Sequence, residues 1–173
     1  MSDKKKLLVV IDPGHTDNTY NAGAVKGYYE SKAVYDLSLY EKAALEKRGI
    51  DVILTRERNQ DPGLYERGQM AVKKGNGYAN VLFESNGADW YGVIRGAVSG
   101  AASQGQAKNG PVRYDYIVEH GFHDNPKECL FLSKQENLKA IAEAKAAAIA
   151  EYFGIGNKKQ STNQSGQSSQ NNR

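Results

Sequence analysis

The chain has 173 residues, 25% of them charged and 39% hydrophobic, with 23 Lys and Arg against 20 Asp and Glu for a net charge of +3. This length suits one domain with a core of its own, and the small positive charge falls far short of a nucleic-acid-binding signature, although it suits approach to an anionic polymer. A single cysteine, Cys129, excludes an intrachain disulfide and a cysteine-based zinc cluster and reads as a small buried hydrophobe, and no run is apolar and long enough to span a bilayer.

Met1 to Lys6 is basic, but the apolar run that follows, Leu7 to Ile11, is too short for a signal-peptide core, so no secretion signal is expected here. That run, "LLVVI", is β-branched and continuous, as in a strand covered on both faces. It breaks into Asp12-Pro13-Gly14, which are turn residues, and then presents His15. His15 is therefore predicted just beyond the carboxyl end of a strand, where open α/β sheets form ligand crevices; the plainer reading is a surface histidine in a βα loop.

A polar loop leads to "ESKAVYDLSLYEKAALEKRG", whose apolar residues recur at helical spacing and stop at Gly49. "IDVILTR" reads as the second strand, and "DPGLYERGQMAVKKG" as the second helix, opened by Asp61 with Pro62 in its first turn. "ANVLFE" is the third strand, "YDYIVEHGF" a further buried strand, and "SKQENLKAIAEAKAAAIAEYFG" a long closing helix stopped by Gly154. Residues 96–113 show no period and are expected to form a loop with a short helix. Residues 156–173 are Asn-, Gln- and Ser-rich and read as a flexible tail or linker, to which a further module could attach. The expectation is a single α/β domain over 1–155, with a mainly parallel twisted sheet flanked by helices.

Four groups that could bind a metal or carry a proton fall at strand or helix ends. They are His15, Glu30 at the start of the first helix, Glu84 at the end of the third strand, and Glu119 after "YDYIV". A zinc hydrolase needs three protein ligands with one position open for water, and a carboxylate nearby to move that water's proton. The alternative for Glu119 is an ion pair with Arg95 or Arg113.

The blocks "VVIDPGH", "GAVKGYYE", "DVILTR", "LYERGQMA" and "YIVEHGFHDNPKE" resemble, in that order, the zinc-dependent N-acetylmuramoyl-L-alanine amidases of the amidase-3 family. The resemblance runs from about Lys6 to Ile155. It implies a peptidoglycan hydrolase of the sporulation, autolysin or phage-lysin kind, acting on the cell wall as a monomer with Zn²⁺, and makes a wall-binding module the kind that could attach at the C-terminal linker. By position it makes His15 and Glu30 zinc ligands and Glu119 the catalytic carboxylate.

Two departures accompany it. The family's third ligand is a histidine at the end of the third strand, followed two residues later by Asn. Aligning on Asn86 puts Glu84 there, so the expected set is His15, Glu30 and Glu84, formally neutral around Zn²⁺ and a weaker Lewis acid than His, His and Glu. The middle segment before "ADWYGVIRGAV" also looks shortened. His120 is expected to point away from Glu119, and His123 to approach only if the "GFHDN" turn folds back; both read as supporting or structural. The alternative functions are a module that binds wall fragments without cleaving them and, more distantly, a structural or nucleic-acid-binding domain.

Overall fold

The computed structural model describes residues 5–16, 21–87 and 114–156. In chain order these form β1 (Lys5–Pro13), α1 (Glu30–Glu46), β2 (Asp51–Leu54), α2 (Leu64–Gly75), β3 (Tyr78–Asn86), β4 (Tyr114–Val118), α3 (Pro126–Leu132) and α4 (Gln135–Tyr152). The four strands make one parallel sheet in the order β2-β1-β3-β4, with helices on both faces, as the alternation of elements predicts. The expected loop at 96–113 and the tail at 157–173 lie outside the described residues, and so does the shortened middle segment. None of the described helices is long and apolar enough to cross a membrane.

Successive strand residues point to opposite faces, so each strand divides its side chains between two cores. On one face Leu7, Val9, Ile11 and Leu82 pack against Ala44 and Leu45 of α1 and Ala146, Ile149 and Ala150 of α4. On the other, Leu8, Val10, Val81 and Phe83 pack around Ala71 of α2. This two-sided burial explains why "LLVVI" is apolar without alternation. Cys129 is fully buried beside Tyr28, Leu37 and Leu132, in a third cluster under α1 and α3.

Two of the helices differ from expectation. The second helix begins at Leu64 rather than at Asp61, because Gly63 is its extended N-cap residue and the Glu66 carboxylate accepts from Gly63 N–H at 3.1 Å. Arg67 Nε also donates to Pro62 O at 2.9 Å, which holds the proline outside the helix. The helix α3 has no counterpart in the sequence reading, yet its signal is present. Asn125 caps it, accepting from Lys127 N–H at 3.0 Å, and Pro126 occupies the first turn.

Candidate active site at the carboxyl edge of the sheet

His15 stands where β1 ends, and two buried arginines fix the backbone that presents it. Arg67 of α2 donates to Asp12 Oδ1 at 3.1 Å, to Pro13 O at 2.8 Å and to His15 O at 2.8 Å. Arg56, just past β2, donates to Pro13 O at 2.9 Å and Gly14 O at 3.0 Å. Asp12 lies on the α2 face of β1 and also accepts from Ser85 Oγ at 2.9 Å and from Thr55 Oγ1. Buried guanidinium groups are costly unless their donors are satisfied, and here the loop carbonyls satisfy them. Both arginines sit inside blocks quoted above, "DVILTR" and "LYERGQMA", but nothing in one sequence shows that their targets are carbonyls beside His15.

Gly14 allows the ends of β1 and β3 to touch. Its N–H donates to Asn86 O at 2.8 Å, and a Cβ there would lie 2.2 Å from Gly87 O. Gly14→Ala must push two strand ends apart. The expected cost is about 1–3 kcal/mol, as for other overpacked sites, read as a lower urea midpoint at unchanged m-value. An unchanged midpoint would contradict the close approach.

Glu30 opens α1 with its carboxylate near the helix N-terminus, where negative charge is favoured. Glu30 Oε2 lies 3.4 Å from His15 Nε2 and 3.2 Å from His123 Nδ1. The side chains of His15, Glu30 and His123 are 12%, 14% and 32% exposed, so the group is half sheltered yet open to solvent. His123 arrives because the "GFHDN" turn does fold back. Phe122 N–H donates to Glu128 Oε2 at 2.7 Å, Asn125 N–H donates to Phe122 O at 3.0 Å, and Ala24 N–H donates to His123 O at 2.9 Å. Glu119, exposed at the end of β4, lines a narrow cleft of about 20 Å³ together with Glu30, Gly87, His120 and His123. That volume holds a water molecule or a small ion.

Glu84 is not part of this group. β3 continues two residues past it to Asn86, and period-2 alternation turns Glu84 to the same face as Leu82, beneath α1 and α4. There it is fully buried, ion-paired with Lys145 of α4, and accepts from Tyr116 OH at 2.8 Å. Lys145 also donates to Glu41 Oε2 at 2.8 Å and to Asn86 Oδ1 at 2.7 Å. Burial, and then the neighbouring Glu84 charge, push Glu41 up to about 8. The β3-end residue that adjoins Glu30 is Gly87: a Cβ on it would lie 3.1 Å from Glu30 Oε1, but it has no side chain to offer.

His120 points to this buried cluster, with Nε2 3.4 Å from Lys145 Nζ. Burial, and then the Lys145 charge, depress it to about 3 from an ordinary 6.5. A histidine depressed on folding contributes stability above its unfolded value, and that stability is lost as pH falls. Stability is therefore expected to decline from about pH 6.5 toward pH 3, by up to about 1.4 kcal/mol per pH unit. His120→Gln should flatten this acid limb in urea titrations; an unchanged slope would contradict a neutral buried ring.

Distances test whether the group suits zinc. Four donors at about 2.0–2.1 Å from Zn²⁺ lie about 3.3–3.4 Å from one another in a tetrahedron. The two separations from Glu30 Oε2, 3.4 Å to His15 and 3.2 Å to His123, are of that size. Among the described residues, no group of three or more His, Cys, Asp or Glu side chains could hold a metal ion. The donor types suit the metal, but the described residues do not complete a site for it.

The family model for N-acetylmuramoyl-L-alanine amidase matches residues 9–83. No curated protein matches the chain by sequence. Among solved structures, the catalytic domain of CwlV, an N-acetylmuramoyl-L-alanine amidase from Bacillus (Paenibacillus) polymyxa var. colistinus, is 19% identical with a TM-score of 0.64, over 86% of this chain and 98% of that one. The N-acetylmuramyl-L-alanine amidase Ami1 from Mycobacterium smegmatis is 18% identical with a TM-score of 0.59, over 88% and 99% of the two chains. The CwlD amidase from Clostridioides difficile, solved with the GerS lipoprotein, is 17% identical with a TM-score of 0.58, over 85% and 98%. Over residues 9–83 the chain thus matches the amidase family model, and over most of its length it shares the fold of these amidase domains.

Proposed function

We propose that this chain is a peptidoglycan amidase that hydrolyses the bond between the lactyl carbonyl of N-acetylmuramic acid and the nitrogen of L-alanine. One observation carries the reading: His15 and His123 meet at one oxygen of Glu30, at the carboxyl edge of the sheet, and Glu119 lines a cleft with Glu30 and His123. The match over residues 9–83 and the shared fold support it.

His15 and Glu30 would hold Zn²⁺. When bound, the ion would polarise the amide carbonyl and make a water more acidic. Glu119, which lines that cleft, is the proton carrier. Its carboxylate takes a proton from the attacking water and returns it to the alanine nitrogen as the C–N bond breaks. The products are a lactyl carboxylate and a stem peptide with a free amino terminus. Arg56 and Arg67 touch no substrate in this scheme; they hold the carbonyls of residues 13–15 so that His15 keeps its place.

A second reading, a module that binds wall fragments without cutting them, is favoured by the burial of Glu84 against Lys145 at the position aligned with the family's third ligand. Labelling of new amino termini in purified peptidoglycan separates the two. The amidase reading expects release of N-terminal alanine, loss of release after chelation and recovery on adding Zn²⁺. Sedimentation with peptidoglycan and no release at any zinc level would establish the binding reading.

A further inference from the structure

We propose that a groove between the start of α1 and the α3–α4 junction holds the carboxylate-bearing stem peptide, with Lys26 and Lys32 pairing its carboxylates. The proposal rests on the amidase reading above and names the part of the substrate held beside the reacting bond.

The groove encloses about 380 Å³, within the range of small-ligand sites. Its walls have local causes. Gly27, at φ +85, closes a turn in which Tyr28 N–H donates to Val25 O at 3.0 Å, with Lys26 and Gly27 at the tip. Ala24 N–H donates to His123 O at 2.9 Å and Val25 N–H to Cys129 Sγ at 3.3 Å, so this turn is tied to the one that carries His123. Ser133 and Gln135 contribute polar groups from the α3–α4 junction. The remaining lining is largely apolar, and Tyr28, Ala33, Leu132 and Leu138 also line the cleft that contains Glu30, Glu119 and His123. The groove and the cleft are neighbours.

Charge selects the occupant. The charged residues of the groove are Lys26, Lys32 and Asp36. Asp36 is ion-paired with Arg58, whereas neither lysine has a carboxylate partner among the described residues. Lys32 Nζ stands 4.9 Å from the centre of the Tyr29 ring, which orders its long stem. Tyr29 directly precedes Glu30 and Lys32 follows it by two residues, so a peptide leaving the cleft has a short way to the lysines. A stem peptide starts with the alanine at the reacting bond and carries free carboxylates within the next few residues. Three extended residues span about 10 Å, which matches that reach. Methyl-sized side chains suit the apolar lining, and the carboxylates suit the two cations.

The test uses binding alone, so its failure is distinguishable from failure of the amidase reading. A synthetic stem peptide with free carboxylates is titrated into the wild-type chain and followed by NMR. Amide resonances of Gly27, Lys32 and Ser133 are expected to shift, and the same peptide with amidated carboxylates is expected to bind more weakly. Lys26→Ala combined with Lys32→Ala should lower affinity for the acidic peptide about tenfold, from a two- to fivefold share per exposed pair, and added salt should shrink the difference. Both side chains are exposed, so the double variant should fold, and Lys139→Ala, on α4 outside the groove, should change nothing. Equal affinity for the acidic and amidated peptides, or full affinity in the double variant, would overturn the proposal. Shifts at these amides with polyglycerol phosphate but not with the peptide would overturn it in favour of an anionic wall polymer. The expected binding without release of N-terminal alanine from peptidoglycan would leave the groove standing and count against the amidase reading alone.

Discussion

Glu119→Gln is expected to reduce amide hydrolysis by about 10²–10⁴-fold while zinc content stays at the wild-type level. Glutamine keeps the size and polarity of the side chain but cannot accept and return a proton at neutral pH. The side chain is exposed at the end of β4, where substitutions usually change stability by about 0.5 kcal/mol or less, so the melting temperature should move little. Loss of zinc together with activity would make Glu119 a ligand. Retention of full activity would remove it from the reaction altogether.

Lys145→Ala is expected to have the largest effect on stability. This one ammonium faces Glu41, Glu84, Asn86 and His120 between the sheet and α4. Removing it leaves two buried carboxylates without a cation, which costs about 3–5 kcal/mol in comparable sites. That is a large share of a typical domain's stability. The cost should depend on pH in a definite sense. Glu41 is raised on folding, to about 8 from 4.5, so the protonated folded form is favoured below 4.5 and stability is lost as pH rises toward 8. Without Lys145, Glu41 is harder still to ionise, so the variant should be most impaired near pH 8 and approach the wild type near pH 4. Urea unfolding at both pH values checks this. An equal loss at both would mean that the lysine acts through packing of its stem rather than its charge.

The same cluster shows what a single sequence can and cannot reveal. The sheet, the alternation of elements and the stop at Gly49 were legible because each has a local cause: apolar runs, helical spacing, and a glycine at φ +77. Glu84 was not, because a strand's end cannot be read to within two residues, and the two extra residues to Asn86 decide whether a carboxylate meets solvent or a helix. The approach of His123 to Glu30 is open in the sequence for the opposite reason. Whether the "GFHDN" turn folds back depends on Glu128 and Ala24, one five residues on and the other in a distant loop. Arg56 and Arg67 stand in plain view in their blocks, but one sequence does not show that Asp12 and the carbonyls of residues 13–15 are their partners. His15 and Glu30 were found by their places beside element ends, and they do lie together.

The most direct test of the account is mass spectrometry of a defined muropeptide after incubation with the zinc-loaded chain. The account predicts two products, an N-acetylmuramic acid whose lactyl group ends in a carboxylate and a stem peptide that begins with free L-alanine. Cleavage at a glycosidic bond or within the peptide, or an intact muropeptide despite bound zinc, would contradict it.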